Sequence, residues 1–297
     1  MKSRLLHHSL FIKLSLILIG GMSFISNSQG AQSELTIQST GKTPLKVYVL
    51  DCGQVKSQDM SVFNSSIKKG TVGHLANPCF LIQHQKGTLL WDTGVSEAII
   101  TQPNGIDVSG GAFNFSVTKT LTEQLKEINI EPKNINYLAF SHMHLDHTGN
   151  ALLFSQANWL IQAQEFAIAN SAYAKKYGYA PLDYQSTQSL NITELTGDFD
   201  VFDDGSVVII STPGHSAGHQ SLFIDLPKHG PIVLSGDLYH FESNREQYGI
   251  PSWNDKKATI SSFAKIDRIL DLTNSELWIQ HDKKQFEKLT LSPNFYE

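Results

Sequence analysis

The sequence predicts an α/β fold: two packed sheets with helices on their outer faces. Three observations predict it. Hydrophobic, β-branched runs of strand length occur in both halves of the chain, and segments of helical period separate them. Histidines and aspartates then recur directly after such runs, at strand ends, where open α/β sheets carry their chemistry.

In chain order, residues 31–43 are polar, and Leu45 to Leu50 reads as a strand ending at Asp51-Cys52-Gly53. Gln54 to Pro78 reads as a long polar loop containing Met60 and Phe63, and loops of that length are often functional. Cys79 to Gln83 and Thr88 to Trp91 form a hairpin across Gln85-Lys86-Gly87, running into Asp92-Thr93-Gly94. Residues 103–116 are rich in Gly and Asn and carry Phe113 and Phe115. Leu121, Leu125 and Ile128 predict a helix over about Thr118 to Ile130, closed by Pro132. A buried strand, Ile135 to Phe140, follows. Beyond it come a short helix (Gly149 to Phe154), a strand (Trp159 to Gln162) and a helix (Gln164 to Ala174). Tyr173, Tyr177, Tyr179 and Tyr184 cluster around Gly178 and Pro181, either as a substrate-facing flap or as packing. The last third predicts strands at Ile192 to Leu195, Val207 to Ser211, Ser221 to Asp225, Ile232 to Leu234 and Leu277 to Gln280. A helix over Lys257 to Leu270 lies among them.

The densest chemical signal is Ser141-His142-Met143-His144-Leu145-Asp146-His147, with three histidines and an aspartate within six residues. Imidazole nitrogens and a carboxylate are the ligands a borderline-soft divalent cation prefers, zinc first among them. His142 and His144 alternate and point the same way in an extended segment, whereas Asp146 and His147 lie past the turn and can serve a neighbouring position. That arrangement favours two ions roughly 3.5–4 Å apart over one. Three further candidates follow strands of their own: His215 in Thr212-Pro213-Gly214-His215, Asp237 after Ile232 to Ser235, and His281 after Leu277 to Gln280. His219 reads as structural.

Composition narrows the function classes. The formal net charge is −5, and residues 1–30 hold Lys2, Arg4, Lys13 and no acid, so the remainder carries −8. An acidic body without a basic run is a poor nucleic-acid binder. Residues 1–30 have the form of a signal peptide: a positive start, an apolar stretch densest over Leu14 to Met22, and small residues before a cut after Gly30. The run is short for a membrane span, with an uncleaved anchor as the alternative. The expectation is a periplasmic or secreted mature chain over 31–297, without stable membrane insertion. Cys52 and Cys79 are the only cysteines. Export permits a disulfide, but each borders a strand-like run, and the expectation is two buried unpaired thiols.

From about Leu45 to His281 the sequence resembles the metallo-β-lactamase superfamily, through H-x-H-x-D-H, Thr-Pro-Gly-His, the Asp237 turn and His281. The resemblance implies an αββα sandwich, two packed mixed sheets with helices outside and the metals at one edge. It implies His142, His144 and His215 on one ion, Asp146, His147 and His281 on a second, and Asp237 bridging them. Asp92 would orient a ligand histidine. The intervals of 68, 22 and 44 residues separating His147, His215, Asp237 and His281, with Leu50-Asp51-Cys52-Gly53, Asn77-Pro78-Cys79 and Leu90-Trp91-Asp92-Thr93-Gly94, resemble the N-acyl-homoserine lactonase (quorum-quenching) branch.

That branch implies ring opening of an acyl lactone by hydroxide held between two zinc ions, with Asp146 passing a proton to the leaving oxygen. Its members commonly carry a tyrosine three residues past the bridging aspartate. Here His240 stands there with Tyr239 before it, and either would donate to the lactone carbonyl. Met60, Phe63 and Phe113 are the candidates for an acyl groove, and the resemblance allows a homodimer. The alternative is another hydrolase of the superfamily, acting on esters, thioesters or phosphodiesters. A metal-binding or partner-binding protein that has kept the fold is the non-enzymatic reading.

Overall fold

Alternation of apolar side chains decides which face of each strand is covered, and by what. The computed structural model describes residues 37–186 and 189–297; the expected leader lies outside the described residues. One sheet contains β1 (Leu45–Ser57), β2 (Gly73–His84), β3 (Gly87–Trp91), β4 (Ile106–Val108), β5 (Phe113–Ser116), β6 (Tyr137–Ala139), β7 (Asn158–Gln162) and β8 (Asn191–Leu195). Its order is β4-β5-β1-β2-β3-β6-β7-β8. The second contains β9 (Phe199–Asp200), β10 (Val207–Ser211), β11 (Gln220–Leu226), β12 (Gly230–Leu234) and β13 (Glu276–Trp278), ordered β13-β12-β11-β10-β9. Both are mixed: β3, β6, β7 and β8 run parallel, as do β12 and β13, and the remaining pairs are antiparallel.

The period of two sorts the core into layers. Val47, Val49, Phe80 and Ile82 face Val207, Ile209, Leu222 and Ile224 between the sheets. Their neighbours Tyr48, Leu50 and Leu81 point the other way and pack under Leu121 and Leu125 of α1 (Leu121–Glu127). On the far side Val208, Ile210, Phe223 and Val233 meet Phe263, Ile266 and Ile269. Each such burial contributes roughly 1.5–3 kcal/mol. This is the expected αββα sandwich.

The remaining helices are α2 (Leu145–Thr148), α3 (Ala163–Ala169), α4 (Glu242–Glu246), α5 (Lys256–Thr273) and α6 (Lys283–Phe286). Their ends follow local rules. Thr120 and Glu123 form a reciprocal capping box on α1. Asp255 accepts from Ala258 N at the start of α5, and Asn274 ends it in the left-handed region at φ 53°. No helix among the described residues is long and apolar enough to cross a membrane.

Two expectations are corrected, and a stretch without an assigned element gains one. The first strand does not stop at Leu50; β1 runs on to Ser57 and β2 starts at Gly73, so the long loop shrinks to 58–72. The Gly- and Asn-rich stretch contributes β4 and β5, whose Phe113 and Phe115 are paired to β1 at Ser57 and Val55. Cys52 and Cys79 are not free thiols but a disulfide, with Cα atoms 5.7 Å apart. The longer β1 explains the pairing. Cys79 stands opposite Leu50, and Cys52 is its diagonal neighbour where the register shifts between Asp51 and Gln54.

The bridge closes a loop with a sequence separation of 27. Replacing both cysteines by serine is expected to lower unfolding stability by about 3 kcal/mol, read by denaturant titration. Equal midpoints, or two titratable thiols in the unreduced parent, would contradict the pairing.

Candidate metal centre

The ends of β6, β10, β12 and β13 open at one edge of the sandwich and deliver one donor group after another. His142 and His144 follow β6, Asp146 and His147 enter on α2, His215 sits in the turn after β10, and Asp237 and His281 follow β12 and β13. His142 Nε2, His144 Nδ1 and His215 Nε2 lie 2.9–3.1 Å from one another. In a tetrahedral zinc site with bonds of about 2.0–2.1 Å, neighbouring ligand atoms sit roughly 3.3 Å apart. The trio therefore forms one face of such a site.

Asp237 lies between this trio and the other donors. Its Oδ2 is 3.5 Å from His215 Nε2 and 3.9 Å from His142 Nε2. Its Oδ1 is 3.1 Å from His281 Nε2 and 3.4 Å from His147 Nε2. Asp146 completes the second group, with oxygens 3.8 Å from His147 Nε2 and from His281 Nε2. His147 Nε2 and Asp237 Oδ1 are buried with no hydrogen-bond partner of acceptable geometry. Lone pairs aimed at a common point and left unsatisfied there fit a bound cation and little else. Several of these groups can hold a metal together, among them His142-His144-His215 and Asp146-His147-His281.

The outer nitrogens explain why the inner ones point inward. His281 Nδ1 is 2.7 Å from Ala76 O. His147 Nδ1 is 3.1 Å from Asp92 Oδ2. Asp92, at φ 60°, also accepts from Ser141 N and from Gln280 Nε2, so it ties the H-x-H-x-D-H loop to the residue before His281. Asp92 thus stands beside His147, on the ring nitrogen that faces away from Asp237. His219 is an internal prop: its Nε2 accepts from Asp237 N, and its Nδ1 lies 2.9 Å from Thr212 O.

The electrostatics follow from packing these groups without water. Burial, with neighbouring rings, holds His142 and His215 well below the usual imidazole range, and burial lowers His144 too. Burial opposes charge on His147 and His281 as well, but Asp237 and its carboxylate neighbours outweigh it and raise both. Burial alone would lift the Asp237 carboxyl; facing His281, His147 and His142 hold it well below the usual carboxylate range.

The other expected residues divide. His240 reaches the site, with Nε2 3.4 Å from Asp237 Oδ2 and its ring 4.6 Å from Phe63. Tyr239 does not. It turns into the α5 layer and stacks on Phe263 at 4.4 Å, because successive extended residues face opposite ways. Phe63 and Phe113 line a cleft of about 1180 Å³ over the donor groups, and Met60 packs behind them without lining it. The tyrosine cluster splits: Tyr173 and Tyr177 are exposed and line the same cleft, and Tyr179 and Tyr184 are buried. Sequence reasoning missed Trp253, which meets Phe63 edge-on at 5.8 Å, and the buried Gln280 and Glu165. Gln280 and Glu165 stand in predicted elements without a motif to mark them.

The family model for the metallo-beta-lactamase superfamily matches residues 72–246. The chain belongs to the metallo-beta-lactamase superfamily. Members similar to it include the N-acyl homoserine lactonase AttM of Azorhizobium caulinodans, 27% identical over 268 residues that cover 86% of this chain and 100% of that protein. Another is the N-acyl homoserine lactonase AiiA of Bacillus thuringiensis subsp. kurstaki, 27% identical over 264 residues, 85% and 99%. Among solved structures, an N-acyl homoserine lactone hydrolase with N-hexanoyl-L-homoserine bound at its catalytic metal centre superposes with a TM-score of 0.75 at 25% identity, covering 88% and 100%. Superfamily membership and the convergent donors make this chain a metal-dependent hydrolase.

His219 provides a pH test. Burial drops its pKa from 6.5 to about 4, so the unfolded chain takes up this proton first as pH falls. The stability it contributes is complete above about 6.5 and is lost toward 4. In chelated protein, His219→Gln should flatten the fall in melting temperature over that interval relative to the parent. Parallel curves would contradict the assignment.

Proposed function

We propose that this protein opens the lactone ring of N-acyl-homoserine lactones. The observation that carries the reading is Asp237, whose two oxygens face two separate imidazole groups at the floor of an apolar cleft. Full-length similarity to proteins named as lactonases supports the substrate class. Lys176 is the only Lys or Arg lining the cleft among the described residues, which favours an uncharged acyl substrate over a phosphodiester.

His142, His144 and His215 would hold one ion, Asp146, His147 and His281 the other, and Asp237 both. The nitrogen-rich donors suit zinc. Two such ions would supply Lewis acidity to a carbonyl and lower the pKa of a water to roughly 7, so that a nucleophile is available at neutral pH.

The chain's own groups do the rest. The acyl chain lies against Phe63, Phe113, Phe115 and Trp253, which exclude water from the reacting carbonyl. His240 Nε2 donates to the carbonyl oxygen as it gains negative charge, the task the sequence left open between it and Tyr239. Asp146, anchored through its own carbonyl by Asn77 Nδ2 at 2.7 Å, takes a proton from the attacking water and passes it to the ring oxygen as the acyl C–O bond breaks. Water is consumed, and the products are a carboxylate, a free hydroxyl and a proton. Export is part of the proposal, supported by the leader-like residues 1–30 and by the disulfide, which suits an oxidising compartment.

Proton release on ring opening, measured across short and long acyl chains with a chelated control, tests the reaction. Metal-dependent rates on lactones well above those on simple esters are expected; two bound ions without lactone turnover would move the function elsewhere in the superfamily. Asp237→Asn should weaken metal retention and cut turnover by at least about 100-fold. Full metal content with a normal rate would remove Asp237 from the bridging role. Phe63→Ala should raise KM about tenfold for long-chain substrates and little for short ones. Met60→Ala should change neither, and an equal effect of the two substitutions would displace the groove.

A further inference from the structure

We infer that Glu165 is the positioning residue that builds the site of one ion and not the other. The inference rests on the reading that His142, His144 and His215 hold a single ion. Glu165 lies on α3, is 1% exposed, and belongs to none of the donor groups. Its carboxylate accepts four hydrogen bonds. Oε1 takes Met143 N at 2.8 Å and Tyr179 Oη at 2.9 Å. Oε2 takes Ser216 Oγ at 2.7 Å and Gly218 N at 3.0 Å.

The partners give the carboxylate its meaning. Met143 stands between His142 and His144. Ser216 and Gly218 belong to the turn that carries His215, and Tyr179 packs on the His144 ring at 5.0 Å. One side chain therefore clamps both segments that supply the trio, together with the tyrosine that backs it. The two segments come from different sheets; Gln220 joins their ends through its N–H to Ser141 O and its Nε2 to Phe140 O, both at 2.8 Å, and Glu165 ties them at the residues flanking the histidines. The approach is close enough that a Cβ on Gly218 would collide with the backbone and Cβ of Glu165.

His147, His281 and Asp146 are oriented by other groups: Asp92, Ala76 O and Asn77. Loss of the Glu165 clamp should thus fall on one ion. Glutamine is the informative replacement, since it keeps the shape but presents an NH2 to donors that need an acceptor.

The test uses the full chain, stripped of metal and titrated with Co²⁺ against a competing chelator, following the ligand-field absorption of each binding event. The parent should show two events. Glu165→Gln should weaken one of them about 10–100-fold and leave the other within about twofold. Ser216→Ala and Tyr179→Phe, each removing one neutral donor, should weaken the same event by less. They keep the inference open to test if Glu165→Gln does not fold. Two unchanged events, or two equally weakened events with a lowered melting temperature, would reduce Glu165 to a fold-stabilising residue. A parent that binds no Co²⁺ would overturn the reading of the site and this inference with it.

Discussion

Imidazoles buried around one carboxylate must each be told which nitrogen to turn inward, and most of the architecture near the sheet edge does this. An imidazole has two nitrogens of similar basicity, and a hydrogen bond at one commits the other. Ala76 O commits His281, Asp92 commits His147, and Thr212 O commits His219 so that its other nitrogen can receive the Asp237 backbone. Each partner is itself fixed by strand pairing or by a turn at the end of a strand. The sandwich is needed because its parallel and antiparallel strands end together, and those ends carry both the donor side chains and the groups that orient them.

The two sheets are also locked to each other at this edge. Gln280, just past β13 in the second sheet, donates to Pro78 O in β2 and to Asp92 after β3, both in the first. Asp92 in turn receives Ser141 N ahead of His142. A sliding of one sheet over the other would break these bonds before it disturbed the apolar layer between them. The hydrophobic layer provides bulk stability, and the small polar lattice at its rim sets the register on which sub-ångström ligand geometry depends.

What the sequence revealed and what it hid divide along physical lines. The convergent donor groups were legible because H-x-H-x-D-H is a local pattern and because Asp237 and His281 each follow a recognisable apolar strand. The layer architecture was legible from strand and helix periods. The extension of β1 was not, since Gln54 to Ser57 are largely polar and are held by pairing to β2 and β5. The disulfide was hidden for the same reason: without the longer strand, nothing brings Cys52 beside Cys79. Tyr239 and His240 could not be ranked until the backbone direction after Gly236-Asp237 was known. Glu165 was invisible because a glutamate on a predicted helix looks like solvent-facing charge, and only the tertiary fold buries it among four donors.

The bond from Leu145 N to Gly178 O joins α2, the carrier of Asp146 and His147, to the tyrosine-bearing excursion that forms one wall of the cleft. The wall with Phe63, Phe113 and Phe115 reaches the same helix through a side chain instead, because Leu145 packs against that cluster. Leu145 is thus held by its backbone from one wall and by its side chain from the other. A side-chain contact tolerates a change in its partner's shape better than a backbone bond does, so the walls are unequal as material for divergence. Substitutions in the phenylalanine wall can reshape the cleft at small cost to the helix, whereas insertions or shifts in the tyrosine wall pull directly on its backbone.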